Sequence, residues 1–223
     1  MKIVIIGAGA MGCLYGAYLS RNNDVVMLDS YKPQVDVINE HGIRVLEEDG
    51  TEGVYDHVRA ALSGEYREEA DLVIVFVKST FSEDALRTNR RLFGEKTLVM
   101  TLQNGARNDR KIAQYVDRKN IIIGTSKHNS VNLGGGEVRH SGHGTTTIGS
   151  NLKENANLAV IRDLLEESGF HAEITEDIQR IIWSKLFVNL SINTFTAITR
   201  SPICSMIDNQ YAWDFAEKMI CEA

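Results

Sequence analysis

The chain has few prolines, few cysteines and no concentrated run of positive charge. Its 3 cysteines lie far apart and match no zinc-ligand spacing, so they exclude a disulfide framework and favour free thiols in the cytoplasm. The net charge of −6 argues against nucleic acid as the main partner, because phosphate binding needs a concentrated basic surface. We therefore expect a cytoplasmic protein that does not bind nucleic acid.

Long apolar runs are also scarce. Residues 3–19 are largely apolar and superficially resemble a signal peptide, but Gly7, Gly9 and Gly12 would weaken such a helix. We find no other candidate for a membrane span and expect no membrane partner. The composition, 43% hydrophobic and 24% charged, is that of a globular protein with one large or two small domains.

The N-terminal residues carry the first informative motif. Lys2–Ile6 predicts a strand buried on both faces, and a helix is predicted over 13–21. Between them lies a match to G-x-G-x-x-G, in which glycines allow a tight turn and close approach of the backbone to a pyrophosphate. We predict that a dinucleotide cofactor binds this glycine turn, which consists of Gly7, Ala8, Gly9, Ala10, Met11 and Gly12.

The next predicted strand, 24–29, ends on a carboxylate where dinucleotide-binding units place their ribose-binding acid. Asp29 there favours NAD, because a carboxylate accepts a hydrogen bond from the ribose 2′-hydroxyl and repels a 2′-phosphate. Lys32 could instead pair with that phosphate and favour NADP. Both could also be solvated loop charges, and these residues alone leave the choice open.

Two further predicted strands end on polar residues. Residues 71–77 end at Lys78, and 97–102 are followed by Gln103 and Asn104. Ligands of open α/β sheets bind beyond the carboxyl ends of strands, which places Lys78 and Asn104 beside the glycine turn. Taken singly, Lys78 is better explained as a solvated strand end and Asn104 as part of an Asn-Gly turn.

The remaining pattern divides the chain at about residue 175. Residues 121–124 predict the last parallel strand, 129–140 and 145–149 antiparallel strands, 157–168 a helix and 170–174 an edge strand. His140 and His143 fall in a glycine-rich stretch and fit loop residues better than metal ligands, so we predict no metal site. The fold class is α/β: a Rossmann-type, mostly parallel sheet with helices on both faces over 1–175, followed by the start of an all-helical domain over 176–223.

The stretch 181–198 predicts one helix that is apolar at nearly every angle and therefore covered on all sides. Lys185, Asn189 and Asn193 recur on one side of it, and Thr196 returns to that side. Burying such groups unpaired would cost several kcal/mol. Their partner is either another protein segment or a polar ligand.

Together these segments resemble the ketopantoate reductase (2-dehydropantoate 2-reductase) family. The resemblance spans the whole chain and rests on the glycine turn, Val77-Lys78, Leu102-Gln103-Asn104-Gly105, Gly124-Thr125-Ser126-Lys127-His128 and Trp183-Ser184-Lys185-Leu186 with Asn189 and Asn193. The last of these is the most specific.

The resemblance implies NAD(P)H-dependent reduction of a small 2-oxo acid, in the family 2-dehydropantoate to pantoate on the route to pantothenate and coenzyme A. It implies that Lys185 is the general acid, that Asn189 and Asn193 hold the substrate, and that Asn104 and Lys78 line the nicotinamide side. NADP is the cofactor that the family implies, with NAD as the alternative because of Asp29. The competing functions are a non-catalytic nucleotide-binding or regulatory fragment and a reductase of another 2-oxo acid.

Three sequence features and the length depart from the family pattern. Thr194 stands where the family has proline, so the helix is expected to run on; Ile203 replaces a substrate-binding asparagine; and Asp29 with Lys32 replaces a basic residue. Family members also continue well beyond residue 223, so we expect a chain truncated at its C-terminus. Apolar surface left by missing helices would favour a homo-oligomer.

Overall fold

A computed structural model describes residues 1–223, and the chain forms two compact units. The first unit comprises 1–103 and 107–178. The second comprises 179–223 together with the short segment 104–106.

Twelve strands form two sheets within the first unit. The strands are β1 Lys2–Ile6, β2 Asp24–Asp29, β3 Ile43–Leu46, β4 Glu52–Tyr55, β5 Arg59–Leu62, β6 Leu72–Val75, β7 Leu98–Thr101, β8 Ile121–Ser126, β9 Asn129–Gly134, β10 Glu137–Gly142, β11 Thr145–Gly149 and β12 His171–Ile174. The main sheet has the order β12-β11-β8-β7-β6-β1-β2-β5, in which the six strands from β8 to β5 are mutually parallel. β11 pairs antiparallel with β8.

The helices, numbered in chain order, begin and end as follows: α1 Ala10–Leu19, α2 Lys32–His41, α3 Ser82–Thr88, α4 Asn108–Ile112, α5 Asn157–Glu167, α6 Ile178–Val188, α7 Thr194–Thr199, α8 Cys204–Ile207 and α9 Gln210–Glu222. A π-helical segment, Asn189–Asn193, joins α6 to α7. Short 3₁₀ turns occupy Ser79–Phe81, Arg90–Leu92 and Arg118–Asn120.

The main sheet is buried on both faces, as its uninterrupted apolar strands predict. Alternate residues of β1 point to opposite sides: Ile3 and Ile5 join the core that contains α1 and α5, whereas Val4 and Ile6 join the core that contains α3 and α4. Helices therefore cover both faces, and the predicted Rossmann-type fold class is confirmed. The sheet also contains β5, an edge strand that we did not predict.

A second sheet, β4-β3-β10-β9, assembles from two hairpins. The antiparallel pairing predicted within 129–140 is confirmed, but the union of this hairpin with the β3–β4 hairpin, through parallel pairing of β10 with β3, was not anticipated. The second sheet also contains or adjoins two of the histidines. His140 lies within β10 and is fully buried, so its assignment as a loop residue was wrong; His143 lies in the connection to β11.

The helix of the second unit runs without a break from Ile178 to Thr199, as the replacement of proline by Thr194 predicts. The prediction that this helix is covered on all sides was wrong. The π segment packs against α9, and Met206, Ala212 and Ala216 form a small core there with Ile192 and Phe195. Elsewhere its surface is open: Val188 is 54% exposed and Ile198 73% exposed.

By length and composition alone, the 22 residues Ile178–Thr199 suffice to cross a membrane. We did not predict this span, because Lys185, Asn189 and Asn193 place polar groups within the otherwise apolar helix. Core helices of soluble proteins meet the same criterion, so the feature by itself is weak evidence of a membrane protein.

Candidate functional site

The glycine turn connects β1 directly to α1, and two of its glycines are required by close packing. Gly7 has φ +108°, a conformation that side chains disfavour, and a Cβ there would lie 2.8 Å from the backbone nitrogen of Val77. A Cβ on Gly12 would lie 1.9 Å from the carbonyl oxygen of Gly7. The turn can therefore close against β6 only with glycine at these positions.

Gly9 differs from the other two, because a Cβ at this position would meet no protein atom within 4 Å. Its backbone conformation, φ −79° and ψ −170°, is also open to any residue. Gly9 therefore leaves open space at the amino end of α1. Backbone N–H groups and the helix dipole favour an anion at that end. The turn fits the pyrophosphate of a dinucleotide.

Asp29 lies at the carboxyl end of β2 and is tied to the glycine turn. Its Oδ2 accepts a hydrogen bond from the backbone N–H of Ala8 at 2.8 Å, and its Oδ1 accepts one from the backbone N–H of Tyr31 at 2.9 Å. The carboxylate is thereby held between the end of β2 and the turn. Lys32 is directed elsewhere: its Nζ lies 2.6 Å and 2.7 Å from the carboxylate oxygens of Asp36.

Two cavities adjoin Asp29 within the first unit. The smaller, about 190 Å³, lies at the ends of β2 and β6 and is lined by Leu28, Asp29, Ser30, Ser63, Val77, Phe81, Asp84, Ala85 and Thr88. The larger, about 440 Å³, includes Ala8, Gly9, Asp29, Tyr31 and Gln34. The Asp29 carboxylate therefore borders both cavities.

The ends of β6 and β7 are linked through Gln103, a residue to which sequence reasoning gave no role. Its Nε2 donates to the carbonyl oxygen of Val77 and to Oγ of Ser82 at 2.9 Å. Its Oε1 accepts from the Thr101 hydroxyl at 3.0 Å. The signal in the sequence that could have identified Gln103 is its position just after a predicted strand, within Leu102-Gln103-Asn104-Gly105. Lys78 is exposed at the end of β6.

In the second unit the predicted polar side chains lie on the long helix. Lys185 is half-buried near the end of α6, and loss of hydration lowers the pKa of its ammonium below the usual value of 10.5. Asn189 and Asn193 lie at the two ends of the π segment, and Nδ2 of Asn193 is 3.4 Å from Oδ1 of Asn189. Asn104 belongs to the same compact unit.

The hydroxyl groups of this helix are satisfied by the helix itself. Ser184 donates to the carbonyl oxygen of Arg180, Ser191 to that of Phe187 and Thr196 to that of Ile192 at 3.0 Å. Thr196 lies on the predicted polar side of the helix, but its hydroxyl group donates its hydrogen bond to the helix backbone. Lys185, Asn189 and Asn193 remain the candidates for contact with a ligand.

Two family models match most of the chain. The model described as "Ketopantoate reductase PanE/ApbA" matches residues 3–153, and its C-terminal counterpart matches residues 177–223. The chain belongs to the ketopantoate reductase family.

Individual relatives agree with this assignment. A 2-dehydropantoate 2-reductase of Halobacterium salinarum is 34% identical over 200 residues, which is 89% of this chain and 65% of the relative. The chain thus spans slightly less than two thirds of that reductase.

Solved structures superpose closely on the chain. The 2-dehydropantoate 2-reductase of Geobacter metallireducens has a TM-score of 0.91 at 27% identity, covering 100% of this chain and 73% of the other. D-mandelate dehydrogenase, solved with NADH and anilino(oxo)acetate, has a TM-score of 0.90 at 29% identity, covering 97% and 70%.

Proposed function

We propose that the chain carries out the NAD(P)H-dependent reduction of a small 2-oxo acid to the 2-hydroxy acid, with Lys185 as general acid and 2-dehydropantoate as the first candidate substrate. The observation that carries the proposal is the half-buried Lys185 ammonium on the same helix as Asn189 and Asn193. Membership of the ketopantoate reductase family supports it.

Each proposed group has a definite task. The bound nicotinamide supplies hydride to the carbonyl carbon. Lys185 gives a proton from Nζ to the carbonyl oxygen, which prevents charge from building up there. Asn189 and Asn193 offer amide donors and acceptors that orient the substrate, and Asn104 and Lys78 are assigned to the cofactor side. Gln103 positions the strand ends that precede both of these residues.

For the cofactor we propose NADH ahead of NADPH. The family resemblance implied NADP, but Asp29 is fixed beside the glycine turn, where a carboxylate favours a ribose 2′-hydroxyl over a 2′-phosphate. Lys32, the cation that could have selected NADPH, is paired with Asp36. NADH in the structure of D-mandelate dehydrogenase further supports this choice.

The cofactor proposal is tested with Asp29→Ser. The ratio of kcat/KM for NADH to that for NADPH should fall by roughly 10- to 100-fold, since one hydrogen bond to the ribose and one repulsion are removed together. Asp24→Asn, at the opposite end of β2, is the matched control and should leave the ratio unchanged. An unchanged ratio in Asp29→Ser would contradict the role of this carboxylate.

A second candidate is reduction of a different 2-oxo acid. Ile203 in place of a substrate-binding asparagine and the similarity to D-mandelate dehydrogenase favour it. A kcat/KM survey should compare 2-dehydropantoate with the 2-oxo acid counterpart of mandelate. Dominance of 2-dehydropantoate would exclude this alternative.

A third candidate is nucleotide binding without catalysis, because the chain spans 65% of the Halobacterium reductase. Calorimetric titration with NADH and NADPH, followed by an absorbance assay with 2-oxo acids, separates it from the reductase. Binding without oxidation of NADH or NADPH by any substrate would favour the non-catalytic function.

We also propose a cytoplasmic location, on the basis of the enzyme family.

A further inference from the structure

Three histidines that the nucleotide site does not use converge inside the first unit. His128 lies between β8 and β9, His140 on β10, and His143 between β10 and β11. One ring nitrogen from each lies within 4.8 Å of the others. Nδ1 of His128 is 3.0 Å from Nε2 of His140, and the rings of His140 and His143 are 3.9 Å apart.

The burial of this cluster distinguishes it from a chance surface grouping. His140 has no exposed surface and His128 is 7% exposed. Nε2 of His128 has no hydrogen-bond partner, although it is buried. A protonated ring would need an acceptor at both nitrogens, so the protein accommodates His128 as a neutral ring, the form that has a lone pair to offer.

A carboxylate stands directly behind the cluster. Oε2 of Glu47 is 3.0 Å from Nδ1 of His140 and 3.4 Å from Nε2 of His143, and its other oxygen accepts from the hydroxyl of Tyr18. When Glu47 accepts the Nδ1–H of His140, the lone pair of His140 is on Nε2, facing His128. Metal-binding histidines recurrently use a carboxylate in this way to fix the ring tautomer.

We propose that His128, His140 and His143 bind one divalent transition-metal ion of the Zn²⁺ type, with Glu47 orienting His140. Imidazole nitrogens are preferred ligands of such ions, and tetrahedral ligands at 2.0–2.1 Å from zinc lie about 3.4 Å apart. The 3.0 Å contact between Nδ1 of His128 and Nε2 of His140 is a hydrogen bond in the ion-free protein, and the ion would replace it, with the His128 proton moved from Nδ1 to Nε2. The candidate ligand nitrogens all lie within 4.8 Å of one another, so small side-chain rotations suffice. His143, with 59% of its side chain exposed, is the route by which the ion enters.

The ion would have a structural role, because it would link separate elements of the first unit. His128 lies in the two-residue connection between β8 of the main sheet and β9 of the second sheet, whereas His140 lies within β10 of the second sheet. One ion would therefore fix this connection against β10, close to α1, which contributes Tyr18. The proposal does not depend on the reductase activity, and its test uses metal binding and unfolding.

The test is titration of the tag-free full chain with Zn²⁺, and with Co²⁺ as a spectroscopic probe. We expect one equivalent of either ion to bind, a tetrahedral Co²⁺ absorption band, and a higher midpoint of thermal unfolding with Zn²⁺, since an ion that binds only the folded chain stabilises it. Absence of stoichiometric binding, or a Co²⁺ spectrum of the free aqueous ion, would overturn the proposal.

Variants identify the ligands. His143→Ala removes an exposed ligand without opening the core and should weaken Zn²⁺ binding by about 100-fold or more, whereas Glu47→Gln should cost about 10- to 100-fold. His171→Ala is the matched control, because His171 is also exposed and also lies beside carboxylates, Glu166 and Glu173. Equal Zn²⁺ affinity in His143→Ala and His171→Ala would show that the cluster is not the site.

Discussion

Partial burial of Lys185 has a direct chemical consequence. Loss of hydration destabilises the ammonium relative to the neutral amine, so its pKa lies below 10.5 and its proton is given away more readily than that of an exposed lysine. This direction of the pKa shift suits a general acid.

Removal of this proton donor should affect turnover much more than cofactor binding. We expect Lys185→Ala to lower kcat by about 100- to 10,000-fold, the usual contribution of general acid catalysis. NADH affinity, measured by calorimetry, should change little. Lys218→Ala, which removes an exposed lysine of α9 in the same unit, is the control; near-normal turnover in Lys185→Ala would refute its role.

The pH dependence of the reaction follows from the same residue. In the proposed mechanism reduction needs the protonated lysine, so kcat/KM should be constant on the acid side and fall as pH rises through the lowered pKa, at a pH below 10.5. Lys185→Arg keeps the positive charge throughout this range and should abolish the alkaline fall, at reduced activity. An identical alkaline limb in Lys185→Arg would assign it to another group.

At the scale of elements, the glycine turn separates packing from ligand binding. Gly12→Ala should destabilise the chain by about 1–3 kcal/mol or more, because its Cβ would collide with the backbone of Gly7. Gly9→Ala meets no protein atom and should change the free energy of unfolding by less than about 0.5 kcal/mol.

Cofactor affinity should respond differently to the two substitutions. In Gly9→Ala we expect NADH affinity to fall about tenfold or more, equivalent to about 1.4 kcal/mol, since the new methyl group would occupy the space assigned to the pyrophosphate. Denaturant unfolding and calorimetry on the same samples measure both effects. Unchanged NADH affinity in Gly9→Ala would mean that the phosphates do not approach this residue.

The elements that the sequence predicted well are those with strong apolar patterns. β1, β2 and their glycine turn were predictable because β-branched runs and G-x-G-x-x-G are local signals. β5, Arg59-Ala60-Ala61-Leu62, was missed because alanine carries little strand preference and the strand forms only by pairing with β2. The buried position of His140 involves long-range contacts with Tyr18, Glu47 and His128, which leave no local pattern in the sequence.

At the scale of the whole molecule, the first unit contains the complete main sheet and both of its apolar cores. The sequence placed the change to helix at residue 175, whereas the assignment of segment 104–106 to the second unit is visible only in three dimensions. This division bears on which part of the chain binds the cofactor.

We expect residues 1–178 alone to fold and to bind NADH, because the glycine turn, Asp29 and the sheet that carries them all lie in this unit. The same fragment should show no turnover, since it lacks Lys185. Circular dichroism, thermal unfolding with and without NADH, and an absorbance assay provide the measurements. A fragment that folds but binds no NADH would relocate essential cofactor contacts to residues 179–223.

The π segment Asn189–Asn193 also affects how the chain is aligned with its relatives. A π turn contains one residue more than an α turn over the same rise, so it is equivalent to a one-residue insertion within an α-helix. Against a relative whose helix is α-helical throughout, an ungapped alignment would match residues beyond 193 to side chains that point about 100° away. The residues of a relative that are equivalent to Thr194 and Ile203 are therefore identified by superposing the backbones, with a one-residue gap allowed at the π segment.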